Sequence, residues 1–586
     1  MGTDGSAVNG DIVNSAGQID RAAYVDMASK LGTDTGIAYR YGARSSASGM
    51  PTLPAPTNNP YPTSSPYAPD SADDPVVMWQ IGGPYQTDAG NYSSNQGQYA
   101  FVPDDPARYA GIGTLELLAQ RNNTFSEVPQ PSWTFPPEVA LAPVGKNDYY
   151  NAKTPVALGR CYGSVCAQTV MAFADGTVGT FGSNTTDWRA SIKLDAGKTP
   201  TAVALTNAGE FALITVWDTV NLKGQVAVVA MSGSQIHEDW PADYPGLQNL
   251  GTFHFMKLLG YIDLPGMAAP TEISATTGLD YDTVHWLFPP SGSGCASNWV
   301  RPDMLPLNVE ANRKTFMPGG CNYDKYAHGG VAVVVSKSER KAMFLNLKPL
   351  FDYYQSMYFG DIANFNQTAN LGQSADQWPY PFSKVTSQVP TVIKTIDLAQ
   401  RPTAVKAALS NTSRAFIATE DGTLNLFSLG NYTAAGGAAA GDIALKGTVA
   451  VGKNPTSLAY PKHDATGGGT AAYPGMIVVS RAESKIQWVG FNADYTGGSI
   501  RRTLQDSRLK DPITAEDNDN MGTESFILTV SDYAGRKVSN YRYGAVTFPA
   551  LAGGACQSGC GTDAFEYGGS YAVPGGVFSV TGANVP

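Results

Sequence analysis

Residues 453–491 read KNPTSLAYPKHDATGGGTAAYPGMIVVSRAESKIQWVGF. Two elements lie within them. The first is Lys-Asn-Pro455 followed by Thr, Ser and Leu. The second is a pair of apolar runs, around Ile477 and around Trp488, separated by the polar turn Arg-Ala-Glu-Ser. Short β-branched or aromatic runs bounded by Gly, Asp and Ser are hairpin chemistry. Proline at the head of the first element suits the first residue of a strand, where its missing N–H breaks no ladder bond.

Both elements recur. The hairpin is read six times, at 165–182, 210–231, 329–347, 413–429, 475–491 and 524–543. Three copies share Val-Ser, a turn, then Lys: Val335-Ser336 with Lys341, Val479-Ser480 with Lys485, and Val530-Ser531 with Lys537. Two share Asp-Gly-Thr at the turn, at Asp175 and Asp421. The proline element precedes most hairpins: KTPTAVAL at Pro200, AAPTEIS at Pro270, QRPTAVKAAL at Pro402 and KDPITAED at Pro512. Pro402, Pro455 and Pro512 stand 53 and 57 residues apart, one four-stranded sheet with its loops. A single such sheet leaves two apolar faces bare, and only neighbouring sheets in a closed ring cover both.

The Pro-Thr-Ala-Val element followed by VVSRAESKIQWVGF-like hairpins resembles the YVTN-type, lactonase-like β-propeller repeat over about residues 155–545. No copy carries the full Tyr-Val-Thr-Asn string. The resemblance implies an all-β fold, a β-propeller; six hairpins and a further blade shared by the two chain ends make seven blades, with six or eight as alternatives. The expected organisation is a Pro/Gly/Ser-rich N-terminal extension over 1–75, an extended strap, followed by a propeller over 76–586. Long loop insertions are expected at 232–328 and 348–400. Ring closure is expected from SYAVPGGVFSVTGA (570–583) paired with strands from 75–118, where VVMWQIG and GIGTLELLA are the candidates.

Composition removes several functional classes. The 586 residues carry a formal charge of −11 with no basic run, which speaks against nucleic acid as a partner. No run of 18 apolar residues supplies a transmembrane helix. Charged residues make up only 15%, against about 25% in typical domains, so like-charge repulsion is sparse and close packing with other copies is easy. The first 30 residues lack an apolar signal core and read as the start of a mature chain.

The six cysteines form short-range couples: Cys161 with Cys166, Cys295 with Cys321, and Cys556 with Cys560. Even number and local spacing favour three disulfides and an oxidising compartment, hence a secreted, periplasmic or cell-surface protein. Six cysteines allow fifteen pairings, and reduced structural thiols are the alternative.

No GxSxG, Walker A, HExxH or CxxCH motif is present. Among the five histidines, His237 (with Trp240 in HEDW) and His285 lie near carboxylates or aromatics in the first insertion. AEDNDNMG places Asp517 and Asp519 two apart before a glycine, a pattern of oxygen ligands that suits Ca²⁺ and equally suits a solvated acidic loop. The second insertion is dense in aromatics: Tyr353, Tyr354, Tyr358, Phe359, Trp378, Tyr380 and Phe382. On exposed loops they would stack on a glycan or anchor a protein; folded inward they would form a satellite core.

The resulting expectation is a binding or scaffold module that engages a protein, a further copy of itself, or a glycan through one loop-decorated face. The alternative is a lactonase-like, metal-dependent hydrolase or isomerase. There the resemblance implies a divalent cation held in the central channel by carboxylates and Asn, with ligands that no local motif marks. A quinone-holding propeller is a third reading.

Overall fold

The computed structural model describes residues 85–86, 92–93, 98–101, 120–121, 124–125, 155–160, 168–182, 191–232, 255–279, 287–292, 294–300, 304–408, 413–461, 475–518, 526–543, 566–572 and 576–582. Six four-stranded antiparallel sheets follow one another along the chain. Sheet 1 runs Pro155–Arg160, Gln168–Phe173, Thr177–Gly182, Ser191–Lys193. Sheet 2 runs Lys198–Leu205, Phe211–Asp218, Lys223–Ser232, Phe255–Asp263. Sheet 3 runs Glu272–Thr276, Val331–Ser336, Lys341–Asn346, Thr391–Asp397. Sheet 4 runs Pro402–Ala407, Arg414–Thr419, Thr423–Ser428, Ala444–Ala450. Sheet 5 runs Pro455–Ala459, Gly475–Ser480, Lys485–Phe491, Gly498–Leu504. Sheet 6 runs Pro512–Asn518, Phe526–Asp532, Lys537–Tyr543, Glu566–Ala572. The middle two strands of each sheet are the six hairpins read from the sequence.

The first strand of each sheet lies beside the first strand of the next, from Pro155–Arg160 round to Pro512–Asn518. A further pair, Gln98–Phe101 with Ser579–Gly582, joins residues from opposite ends of the chain. Its strand Ser579–Gly582 lies beside both Pro512–Asn518 and Pro155–Arg160. This is β-propeller architecture, with first strands innermost.

The proline element has a geometric reason. In sheets 1, 2, 4, 5 and 6 the register slips immediately after Pro155, Pro200, Pro402, Pro455 and Pro512. Proline offers no N–H to the ladder, so a bulge at that point costs no hydrogen bond. In sheet 3 Pro270 stays just outside the strand, and Thr271 N–H donates to Val335 O at 2.8 Å. The inner strands of those five sheets are thus bulged where they enter the ring. Carboxylates on the hairpin turns then hold the incoming chain. Glu339 accepts from Ala268 and Ala269 N–H, and Asp532 from Lys510 and Asp511 N–H. Glu483 accepts from Lys453 N–H.

Alternation of side chains along a strand explains how neighbouring sheets share cores. In Phe211–Asp218, Phe211 and Leu213 pack toward sheet 3, whereas Ala212, Ile214 and Val216 pack toward sheet 1. Separate clusters fill the joints between sheets 3 and 4, 4 and 5, and 5 and 6. Each buried Val, Leu, Ile or Phe contributes roughly 1.5–3 kcal/mol, so each of these joints has an apolar core of its own.

Three expectations need correction. The insertion drawn at 232–328 contains the last strand of sheet 2 and the first of sheet 3. That drawn at 348–400 contains the last strand of sheet 3. The outer strands were hidden because they are only partly apolar; Thr391–Asp397 is largely exposed or half-buried. In the tail, 566–572 belongs to sheet 6 and only 579–582 pairs with an N-terminal strand, which is Gln98–Phe101. The candidate strands VVMWQIG and GIGTLELLA, and the extension over 1–75, lie outside the described residues.

Candidate functional site

In a four-stranded meander the first-to-second and third-to-fourth connections leave the sheet at the same end. In sheet 3 these are residues 277–330 and 347–390, so topology alone sets them side by side. They carry helices α1 (Glu310–Lys314), α2 (Lys348–Tyr358) and α3 (Ile362–Gln367). The short hairpin turns emerge at the opposite end.

The two insertions are joined into one platform. Phe316 stacks on Phe359 at 4.5 Å, and Tyr326 packs on the same ring at 4.6 Å. Buried Arg313 donates to Leu307 O at 2.7 Å and to Gly360 O at 3.1 Å. His328 Nε2–H donates to Tyr323 O at 2.7 Å, which leaves Nδ1 to accept from Gln355 at 2.9 Å and fixes a neutral ring. Burial holds this imidazole below its usual range. Lys348 Nζ donates to His328 O and to Asp352. Cys295 and Cys321 form a disulfide that closes the first insertion.

The aromatics of the second insertion face inward. Tyr354, Tyr358 and Trp378 are fully buried, and Tyr380 is nearly so. Trp378 meets Tyr354, Tyr358 and Tyr380 at 5.1, 5.6 and 5.7 Å, and its indole N–H donates to Tyr358 Oη at 3.0 Å. Tyr353 is half-buried against Trp378, and burial pushes its hydroxyl up to about 12. Tyr354, Tyr358, Trp378 and Tyr380 belong to the core and do not offer their faces to a sugar. The physical reason is that two long connections from one sheet end bury their apolar residues against each other. Large apolar groups are exposed elsewhere on the platform: Trp299, Met304, Val309 and Met317, at 50, 61, 44 and 43%.

The platform is fastened to sheet 2 by a residue that the strand pattern hid among apolar neighbours. Lys257, in FMKLLGYID, is 3% exposed and donates to Ser374 O at 2.7 Å and Gln377 O at 2.8 Å. Burial lowers its ammonium to about 8, partly offset by Asp376. Below pH 8 the fold therefore carries a desolvated charge, and that cost is released as pH rises from 8 toward the unfolded value. Lys257→Met removes the donor to Gln377 O and one of the two donors to Ser374 O, which keeps the Gln377 N–H. It is expected to cost about 2 kcal/mol and to speed amide exchange over 372–382, while the hairpin of sheet 5 is unaffected.

The ring encloses an axial cavity of about 360 Å³. Sheets 1 and 2 line it with Val156, Ala157, Val203 and Leu205; the opposite arc carries Glu272, Lys337, Lys406, Arg481 and Glu516. Glu272 accepts from Val405 N–H at 3.2 Å and faces Lys337 Nζ at 3.4 Å, while Arg481 is bound to Asp511. Among the described residues no three His, Cys, Asp or Glu side chains are placed to share an ion. The channel lining does not fit the divalent cation that the resemblance implies, because its two carboxylates share the arc with three cations, and Glu272 and Arg481 are already bonded to neighbouring segments.

Asp517 falls within the strand Pro512–Asn518, opposite Leu528, and not in a loop; Asp519 lies outside the described residues. His237, Trp240, His285 and the cysteines Cys161, Cys166, Cys556 and Cys560 also lie outside them.

No family model and no curated protein matches this chain. Among solved structures, the Cps50 (Swd1) β-propeller domain of Myceliophteria thermophila aligns at 8% identity and a TM-score of 0.32, covering 65% of this chain and 80% of that one. A Lactobacillus plantarum protein aligns at 9% identity and a TM-score of 0.32, covering 63% and 74%. At these scores neither carries an argument, and the architecture stands on strand order and register.

Proposed function

We propose that this protein is a secreted or surface-held scaffold that docks a protein through the platform of sheet 3. One observation carries the reading: Trp299, Met304, Val309 and Met317 are exposed on a segment whose underside is locked by a disulfide, a buried arginine and stacked rings. Trp and Met are enriched at the cores of protein interfaces, and a rigid support lowers the entropy cost of docking. Inward-facing aromatics weigh against a glycan. The Cys295–Cys321 bond supports an oxidising compartment. The ring is read as seven blades spanning 76–586, the seventh built from the two chain ends, after an extension over 1–75.

A photocrosslinking residue at position 299 or 304 tests the surface in cells or secretions of the source organism. Crosslinks to one protein, another copy included, are expected from these positions. None is expected from position 222, at the opposite end. Crosslinks from 222 with none from 299 or 304 would overturn the reading.

A further inference from the structure

The turn 206–211 of sheet 2 is the socket in which both insertions sit. Asn207 accepts from Thr277 N–H at 3.1 Å and donates to Leu279 O at 3.0 Å. Ala208 packs on Leu279. Phe211 meets Tyr354 and Phe351 of α2 edge-on, at 4.8 and 5.5 Å. In the middle of this turn lies Glu210, 1% exposed. One carboxyl oxygen accepts from Thr206 Oγ1 at 2.6 Å, and the other has no hydrogen-bond partner. The hydroxyl of Tyr354 is likewise buried without a partner.

A buried carboxylate without a cation is expensive, so the packed turn, whose Asn207, Ala208 and Phe211 hold both insertions, selects the protonated acid. We propose that Glu210 is a proton-operated latch: protonated, it lets both insertions seat on sheet 2, and ionised, it loosens them. The reading of this end as the docking surface supplies the consequence, a partner surface that softens as pH rises.

Burial pushes the Glu210 carboxyl up to about 7, opposed only by Thr206 and the backbone N–H groups of Ala208 and Glu210. No charged side chain of sheet 2, of the first insertion or of α2 contributes there. The ionisable groups further out act with the other sign. His328, held low by burial, would loosen the platform on the acid side. Lys257, lowered to about 8, favours the folded form as pH rises above that value. The Lys348–Asp352 pair lies on the outer side of α2.

The sign for Glu210 follows from linkage. Its contribution is complete below the unfolded value of 4.5, falls as pH rises, and is gone above about 7. Opening of the platform is therefore expected to grow roughly a hundredfold between pH 5 and pH 8, then level off. Amide exchange over 304–330 and 348–367, corrected for intrinsic rates, reads this on the isolated full chain. Glu210→Gln should abolish the dependence while the hairpins of sheets 4 and 5 stay protected. Thr206→Val, which removes the hydrogen bond favouring ionisation, should move the midpoint upward. If E210Q keeps the wild-type profile, or T206V leaves the midpoint in place, the latch is wrong. This exchange needs no partner, so it fails independently of the crosslinking test.

Discussion

Trp378→Ala is expected to cost about 4 kcal/mol, the usual range for emptying a fully buried aromatic site. The indole is completely covered. Removing it deletes ring contacts to Tyr353, Tyr354, Tyr358 and Tyr380 and the N–H that donates to the Tyr358 hydroxyl. Its ring neighbours Tyr354 and Tyr358 are carried by α2, which limits how far they can collapse into the space. The loss should be local. Joints between sheets 3 to 6 have clusters of their own, so they should survive while the second insertion melts. Urea unfolding followed by exchange at α2 and at the sheet 5 hairpin separates the two. A cost under about 1 kcal/mol would show that the aromatic cluster does not hold the platform. Trp299→Ala, on a half-exposed ring, is the matched control and should stay within about 0.5 kcal/mol.

Replacing Cys295 and Cys321 together by serine is expected to loosen the first insertion by about 3.5 kcal/mol, from the closure entropy of a loop whose ends are 26 residues apart. Within that loop lie α1 and all four exposed apolar side chains with which a partner is proposed to dock, Trp299, Met304, Val309 and Met317. The observable is proteolytic nicking between 296 and 320. It should appear in the double variant, and in the wild type only under reductant. Equal resistance with and without the bond would mean that Arg313 and the Phe316–Phe359 stack suffice to hold the segment. Partner crosslinking from position 304 should fall in the variant even though the ring remains folded.

These outcomes bear on one division of labour. The ring is a rigid support made of repeated joints. The single sheet with two long connections provides the surface that varies from the repeat. Loops placed by a rigid frame are where recognition is usually found. The axial cavity, by contrast, has its charges committed to neighbouring strands, as Glu272 to Val405 and Arg481 to Asp511 illustrate.

What could be read along the chain was whatever is local. Hairpins show as alternating apolar residues around Gly, Asp and Ser, and all six are present where they were read. The proline element marks the bulged entry of the inner strand because proline's lost N–H is a property of one residue. The pairing of Cys295 with Cys321, which spacing favours among the fifteen possible sets, is present. Outer strands were not legible, because a strand with one half-exposed face, such as Thr391–Asp397, has weak alternation. Burial of Trp378 and its tyrosines could not be read either. An aromatic run has the same composition whether it faces water or folds against a second insertion 30 to 80 residues away, and the meander's geometry brings those two together. Glu210 and Lys257 show the same limit. Each is an ordinary charged residue in the sequence, and only burial in the folded chain removes the water that would have kept it ordinary.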